Sequence, residues 1–380
     1  MTPRERVCAA ISHQPPDRVP IDLNITLHAY KNLKVHMDLQ VDDDPAPNTS
    51  MEVIPDIAVL ERLGVDLISI RLGDATQAPT NLPGTITDSW GVTRKLVRQS
   101  VGAHYEVITH PLSGSSLDDL EDYPWPNPHP HEEAHNLRKR AKDLYQNSEL
   151  ALVGRFGGPI LELATNLLGI KEWYLRLAKD KEFITTLLQK ISAICTAHDL
   201  LGIEEAGRHL QILKVSGEDF GAQDRPLYSL DMFRRILLPP LRQRWQTVRK
   251  ELDKINPTAR IMLHSCGAVR SFIPELINTG SIDILDPVQP LASDMKPASL
   301  KAQFGKRLTF HGGVDTQRLL PFGTPEEVAT GTRLCLEGFR ANRGGFILAP
   351  SHIVQADVQP RNLLTMIRET REWSNCGEAR

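Results

Sequence analysis

The 380-residue sequence has no excess of basic charge: 44 Lys and Arg stand against 47 Asp and Glu, a formal net charge of −3. Without clustered Lys and Arg there is no electrostatic footprint for nucleic acid, and that class of partner is excluded. No apolar run approaches the roughly 20 residues that a membrane span needs. Aromatic residues are sparse at 6%. The five cysteines are scattered too widely to form a disulfide framework. No signal-like apolar stretch follows Met1-Thr2-Pro3-Arg4-Glu5-Arg6, so a reducing cytoplasm is the expected location. Low-complexity tracts and fixed-period repeats are also missing.

What is present is an alternation of element types. Short apolar, β-rich runs recur at 19–23, 65–70, 152–156, 210–215, 260–263, 282–285, 308–310 and 346–348, separated by longer helical stretches. Near-continuous apolar strands between helices indicate a parallel sheet covered on both faces. Eight such units predict an α/β protein with a closed (β/α)8, or TIM-type, barrel in a single domain over 1–380. The rhythm breaks between about Thr85 and His131. There, 88–92 and 104–108 suggest an antiparallel excursion, and Pro124, Pro126, Pro128 and Pro130 an irregular connection. This segment (85–131) is expected to be an insertion in an early βα loop.

Polar residues follow every run. They are Asn24; Arg71 with Gly73 and Asp74; Arg155 with Gly157 and Gly158; Ser216, Glu218, Asp219 and Gln223; His264 and Cys266; Asp286 and Gln289; His311 and Asp315; and Ser351 with His352. In a parallel barrel all strand C-termini share one rim, so these groups are expected to converge on one mouth. Helix capping accounts equally well for Asp286, Ser216 or Ser351. It does not account for His264, His311, His352, Cys266 or Arg155, which are poor caps. Glu218, Asp219 and His311 are the candidates for proton transfer, and Asn24, Arg71, Arg155, Gln223 and Asp286 for holding substrate. His264 and Cys266, at i and i+2 of a strand end, can face the same side, and imidazole and thiolate both suit zinc. His352 is the first candidate for a third ligand, with Glu218 or Asp219 the second. Against this stands a capped turn with an inert Cys266. Cys8, Cys195, Cys335 and Cys376 lie in helical or terminal contexts and are expected to be packing or surface residues.

Several stretches together resemble the uroporphyrinogen decarboxylase-like superfamily. They are Met1–Val7, Asp17–Asp22, Phe156–Pro159, His264–Val269, Asp286–Pro290, His311–Gln317 and Leu348–His352, and they span nearly the whole chain. The resemblance implies a (β/α)8 barrel. It allows two chemistries. The true decarboxylase carries an arginine-rich segment of the form R-P-V-W-x-M-R-Q-A-G-R-Y, and the matching stretch here reads Arg18-Val19-Pro20-Ile21-Asp22-Leu23-Asn24. That departure argues against decarboxylation of the porphyrinogen. The other branch holds zinc-dependent methyltransferases that work with a separate corrinoid protein through an H-x-C pair and a distant Cys. His264 and Cys266 match the pair, and His352 stands where the distant Cys would be. The exchange keeps a zinc-competent donor and removes one negative charge, which disfavours an activated-thiol acceptor such as coenzyme M. The resemblance thus implies transfer of a methyl group from a small O- or N-methylated donor to a corrinoid protein, with zinc at His264, Cys266 and His352. Relatives often form homodimers. Two further readings stay open: a metal-independent decarboxylase or lyase acting on a small carboxylate, and a non-catalytic ligand-binding barrel.

Overall fold

A computed structural model describes residues 1–41, 51–72, 78–79, 83–99, 102–215 and 217–375; Gly73, Asp74, Ser216 and Cys376 fall outside these. Two short strands, β1 (Ile25–Thr26) and β2 (Glu52–Val53), pair antiparallel. Strand β3 (Leu67–Arg71) opens the main sheet. Next come β4 (Ala78–Pro79), β5 (Thr85–Thr87), β6 (Thr93–Gln99) and β7 (Gly102–Val107). They form a separate antiparallel sheet in the order β4-β5-β6-β7. The main sheet resumes with β8 (Ala151–Arg155), β9 (Ile212–Val215), β10 (Arg260–His264), β11 (Ile284–Val288), β12 (Thr309–Val314) and β13 (Phe346–Pro350).

The main sheet is parallel, in the order β13-β12-β11-β10-β9-β8-β3. Segment 19–23 bridges its two edges. Ile21 pairs in parallel with Leu348, Asp22 N–H donates to the Leu348 carbonyl at 2.9 Å, and Asp66 N–H donates to the Ile21 carbonyl at 2.8 Å. All eight expected runs therefore become staves of one barrel. The antiparallel sheet interrupts it after β3, where the excursion was expected. At its edge, a Cβ added to Gly102 would stand 3.4 Å from Ala356, just beyond His352. Among the described residues no helix is long and apolar enough to cross a membrane.

Strand side chains alternate between two faces. Outward residues such as Ile68, Leu152, Leu213, Leu263 and Leu285 join the large core beneath the surrounding helices. Inward residues Leu67, Val153, Ile212, Met262, Ile284 and Ile347 form a second, separate core inside the barrel. Val7 and Ile11 of helix Pro3–Ile11 complete this inner core and close the floor. That helix is started by a capping box in which Thr2 and Glu5 satisfy each other's backbone N–H groups. Beside the floor, fully buried Asp66 takes Arg6 at 2.6 Å and Arg18 at 2.7 Å, so its burial is compensated.

Candidate active site

Two residues further along β8, β9, β10 and β11, and four along β3, the inward positions change from apolar to charged. They are Arg71, Arg155, Lys214, His264, Asp286 and, on β12, His311. Sequence reasoning placed most of these groups after the strands. The structure places Arg71, Arg155, His264, Asp286 and His311 within them, as the final inward-facing residues. The charged layer thus rests directly on the apolar one, which holds it away from bulk water on its lower side.

Asp286 is the centre of this layer. It is nearly fully buried, accepts Lys214 Nζ at 2.6 Å and His264 Nδ1 at 2.8 Å, and faces His311 Nδ1 at 2.5 Å. The last contact is close enough for an ion pair but falls short of hydrogen-bond alignment. Burial opposes the charge on Asp286, but Lys214 and the two imidazoles outweigh it and hold the carboxyl well below its ordinary value. His311 Nε2 meets Asp22 Oδ2 at 2.9 Å, and Asn24 Nδ2 reaches the same oxygen at 3.3 Å. Burial works against a charged His311, yet the carboxylates of Asp286 and Asp22 prevail and raise it to about 9. Arg71 and Arg155, in register on β3 and β8, share buried Glu52. Burial penalises the Glu52 carboxylate, and the two guanidiniums more than offset it and hold its value down.

The His311 shift makes stability depend on pH. A group raised in the fold above its unfolded value of about 6.5 contributes fully below that value and loses the contribution as pH climbs through about 9. The full linkage amounts to about 3 kcal/mol. Denaturant unfolding should therefore show falling stability between pH 7 and 9. His311→Gln should flatten that slope, and an equal slope in both proteins would refute the assignment.

Above the charged layer, the loops after β9 and β10 converge. Asp219, about half exposed, brings Oδ1 to 3.3 Å from Cys266 Sγ and 4.0 Å from His264 Nε2. Burial first, and the Asp219 carboxylate second, push the Cys266 thiol far above its usual value. The ring of His352 lies across from that of His264, 6.1 Å between centroids at 74°. Burial and the adjacent His264 lower the His352 value. Glu162 faces the same space: a Cβ on Gly217 would stand 3.4 Å from its Oε2. Burial and Asp219 raise the Glu162 carboxyl. His352 and Glu162 are both open to solvent and yet largely surrounded by protein, as side chains lining a cleft are.

Two sequence-derived candidates serve elsewhere. Glu218 is turned away from the mouth and nearly fully buried; its two oxygens accept the backbone N–H groups of Ile160 and Leu161, each at 2.9 Å. Burial pushes it up to about 7. It holds the start of helix Leu161–Leu168, next to Arg244, which donates to Asp199 at 2.9 Å and to the Gly158 carbonyl at 2.7 Å. Gln223 is exposed and spans loops, accepting from Gln317 at 3.0 Å. Asp315 caps its own loop through the N–H groups of Gln317, Arg318 and Leu319. Sequence reasoning passed over Lys214, Glu52, Glu162 and the role of Asp22. Lys214 had a signal: a lone cation inside the apolar run Ile-Leu-Lys-Val must meet an anion.

Zinc bonds of about 2.0–2.3 Å in a tetrahedron set donors roughly 3.3–3.8 Å apart. The separations of Cys266 and His264 from Asp219 fall at or just beyond that range. Among the described residues no three His, Cys, Asp or Glu side chains already surround one point as metal ligands. Asp219 and His352 both reach solvent beside the pair. By donor type, the imidazoles of His264 and His352 and the thiol of Cys266 suit zinc.

Residues 101–373 match the family model described as uroporphyrinogen decarboxylase (URO-D). In structure the chain is similar to a methyltransferase from Methanosarcina mazei, with a TM-score of 0.68 and 17% identity over 98% of this chain and 99% of that one. At that identity the likeness speaks for the fold. The chain is also aligned with the GH53 catalytic domain of Ignisphaera aggregans over 93% and 96% of the two chains. That pair has 11% identity and a TM-score of 0.39, too low to support an argument. No curated protein sequence matches significantly.

Proposed function

Since the chain belongs to the uroporphyrinogen decarboxylase family, we propose that it is a methyltransferase of that family. It moves a methyl group from a small O- or N-methylated substrate to a corrinoid held by a separate protein, with zinc at His264, Cys266 and His352. One observation carries this reading. Asp286 takes His264 Nδ1 at 2.8 Å, which commits Nε2 to the side where Cys266 Sγ and Asp219 Oδ1 stand. A carboxylate behind a ligating imidazole fixes its tautomer and orientation and raises its basicity. The structural likeness to a methyltransferase is consistent with it.

Bound zinc would supply Lewis acidity toward the substrate's heteroatom. The chain's own residues do the rest. As the bond between methyl carbon and heteroatom breaks, its electron pair stays on the heteroatom, which then needs a proton. Glu162 and Asp219 line the cleft at that place, and Glu162, with its raised value, is the one suited to keep a proton for donation. Glu218, occupied with two backbone N–H groups, has no such part. Arg71 and Arg155, held by Glu52, give the opposite wall a positive field that orients an anionic substrate.

The same wall, together with Lys214, also favours a second reading, metal-independent decarboxylation of a small carboxylate. Elemental analysis separates the two. About one zinc per chain is expected, with stoichiometry collapsing in Cys266→Ala and His264→Ala while both proteins stay folded. A metal-free protein with undiminished turnover would rule out the zinc reading.

A further inference from the structure

At the other end of the barrel from the mouth lies a surface hollow of about 590 Å3, between helices Leu27–His36, Ile57–Leu63 and Pro360–Asn375. Leu63 at its edge precedes the first residue of β3 by four positions, so the hollow sits near the rim where the strands begin. Arg62 enters from one side, and Arg368 and Arg371, spaced i and i+3 on one helix, from the other. Among the described residues these three arginines form no ion pair. Arg62 donates to the Met37 carbonyl at 3.4 Å. Asp38 and Glu372 share the rim, so three guanidiniums stand against two carboxylates.

Gly64 ends its helix in the left-handed region, at φ 74°, and a Cβ there would come within 3.5–3.6 Å of the Arg371 side chain. The Arg371 side chain therefore lies beside the end of that helix. Like charges three residues apart repel one another and cost stability unless an anion joins them. Leu63, Leu364 and Ile367 supply an apolar floor beneath the charges. The volume falls within the roughly 300–1,000 Å3 of small-molecule sites.

We propose that this hollow is a binding site for an organic diphosphate, whose anionic oxygens bridge Arg62 to Arg368 and Arg371 while its apolar or ring portion rests on Leu364 and Ile367. Guanidinium forks match phosphate oxygens in pairs, and arginines brought to the hollow by two different helices offer forks to two phosphoryl groups. The site is remote from the mouth and independent of the methyl-transfer reading.

Calorimetric titration of the full-length chain with ADP and with inorganic pyrophosphate tests it. Both should bind and raise the melting temperature, ADP more tightly because it also covers the floor. Arg62→Gln and Arg371→Gln should each weaken ADP binding by about tenfold or more, with melting temperature and basal turnover unchanged in the absence of ligand. Arg242→Gln, on a different exposed helix face, should leave binding intact. Should Arg371→Gln fail to fold, exposed Arg368→Gln makes the same test. Absence of binding by both ligands, or binding that persists in the Arg62→Gln/Arg368→Gln double variant, overturns the proposal. Equal affinity for ADP and pyrophosphate overturns the organic portion of it.

Discussion

Asp286→Ala should cost the fold about 3–5 kcal/mol, the usual penalty for breaking a buried charge cluster by removing one partner. The substitution leaves Lys214, a side chain only 11% exposed, without its carboxylate at 2.6 Å, and strips His264 and His311 of the group that orients them. Dispersal of the orphaned charge is blocked by the apolar layer below. Asp286→Asn preserves shape and should still lose most of that stability, because the missing quantity is the negative charge. Lys214→Met in the Asp286→Asn background should restore part of it. Urea unfolding measures all three. A loss under about 1 kcal/mol for Asp286→Ala would mean that water reaches this layer and that the cluster is not truly buried.

Cys266→Ala should lower kcat/KM for methyl transfer by about a thousandfold or more, since Lewis-acid stabilisation is worth several kcal/mol and each 1.4 kcal/mol is a factor of ten. The residue is only partly buried and its thiol's hydrogen bond is with Asp219, so the fold should survive. His264→Ala should do the same and also leave Asp286 short of one partner, giving a joint loss of stability and activity. His352→Ala should reduce zinc affinity along with turnover. The comparison of Cys266→Ala with Asp219→Ala is the informative one: a ligand and a proton-handling neighbour should differ in metal content even where both lose rate. Turnover of Cys266→Ala within tenfold of the parent would remove Cys266 from the chemistry.

The barrel was legible because it rests on local pattern. Eight apolar runs at βα spacing have few ways to bury both faces of their strands, and segment 19–23 joins the sheet as the others do. The interruption between β3 and β8 was legible for the opposite reason: His104-Tyr105-Glu106-Val107 alternates polar and apolar as an antiparallel strand with one solvated face does. His264 and Cys266 could be singled out because neither is a favoured cap, and His311 for the same reason.

Glu218 shows where local reasoning stops. It follows a strand, sits beside Asp219 and looks catalytic in the sequence, yet it turns under helix Leu161–Leu168 while its neighbour faces the cleft. Glu52 is the converse case. It belongs to a two-residue strand outside the barrel and carries no signal, but it binds Arg71 and Arg155 together.

By itself the sequence determined which residues lie on barrel staves and that their polar ends share a rim, since hydrophobic period and strand direction are properties of short segments. Only the tertiary structure decided which of those polar groups face one another, which are buried, and which charge compensates which. Those are matters of distance between parts of the chain 22 to 289 positions apart, and electrostatic pairing is set by that distance and by the exclusion of water.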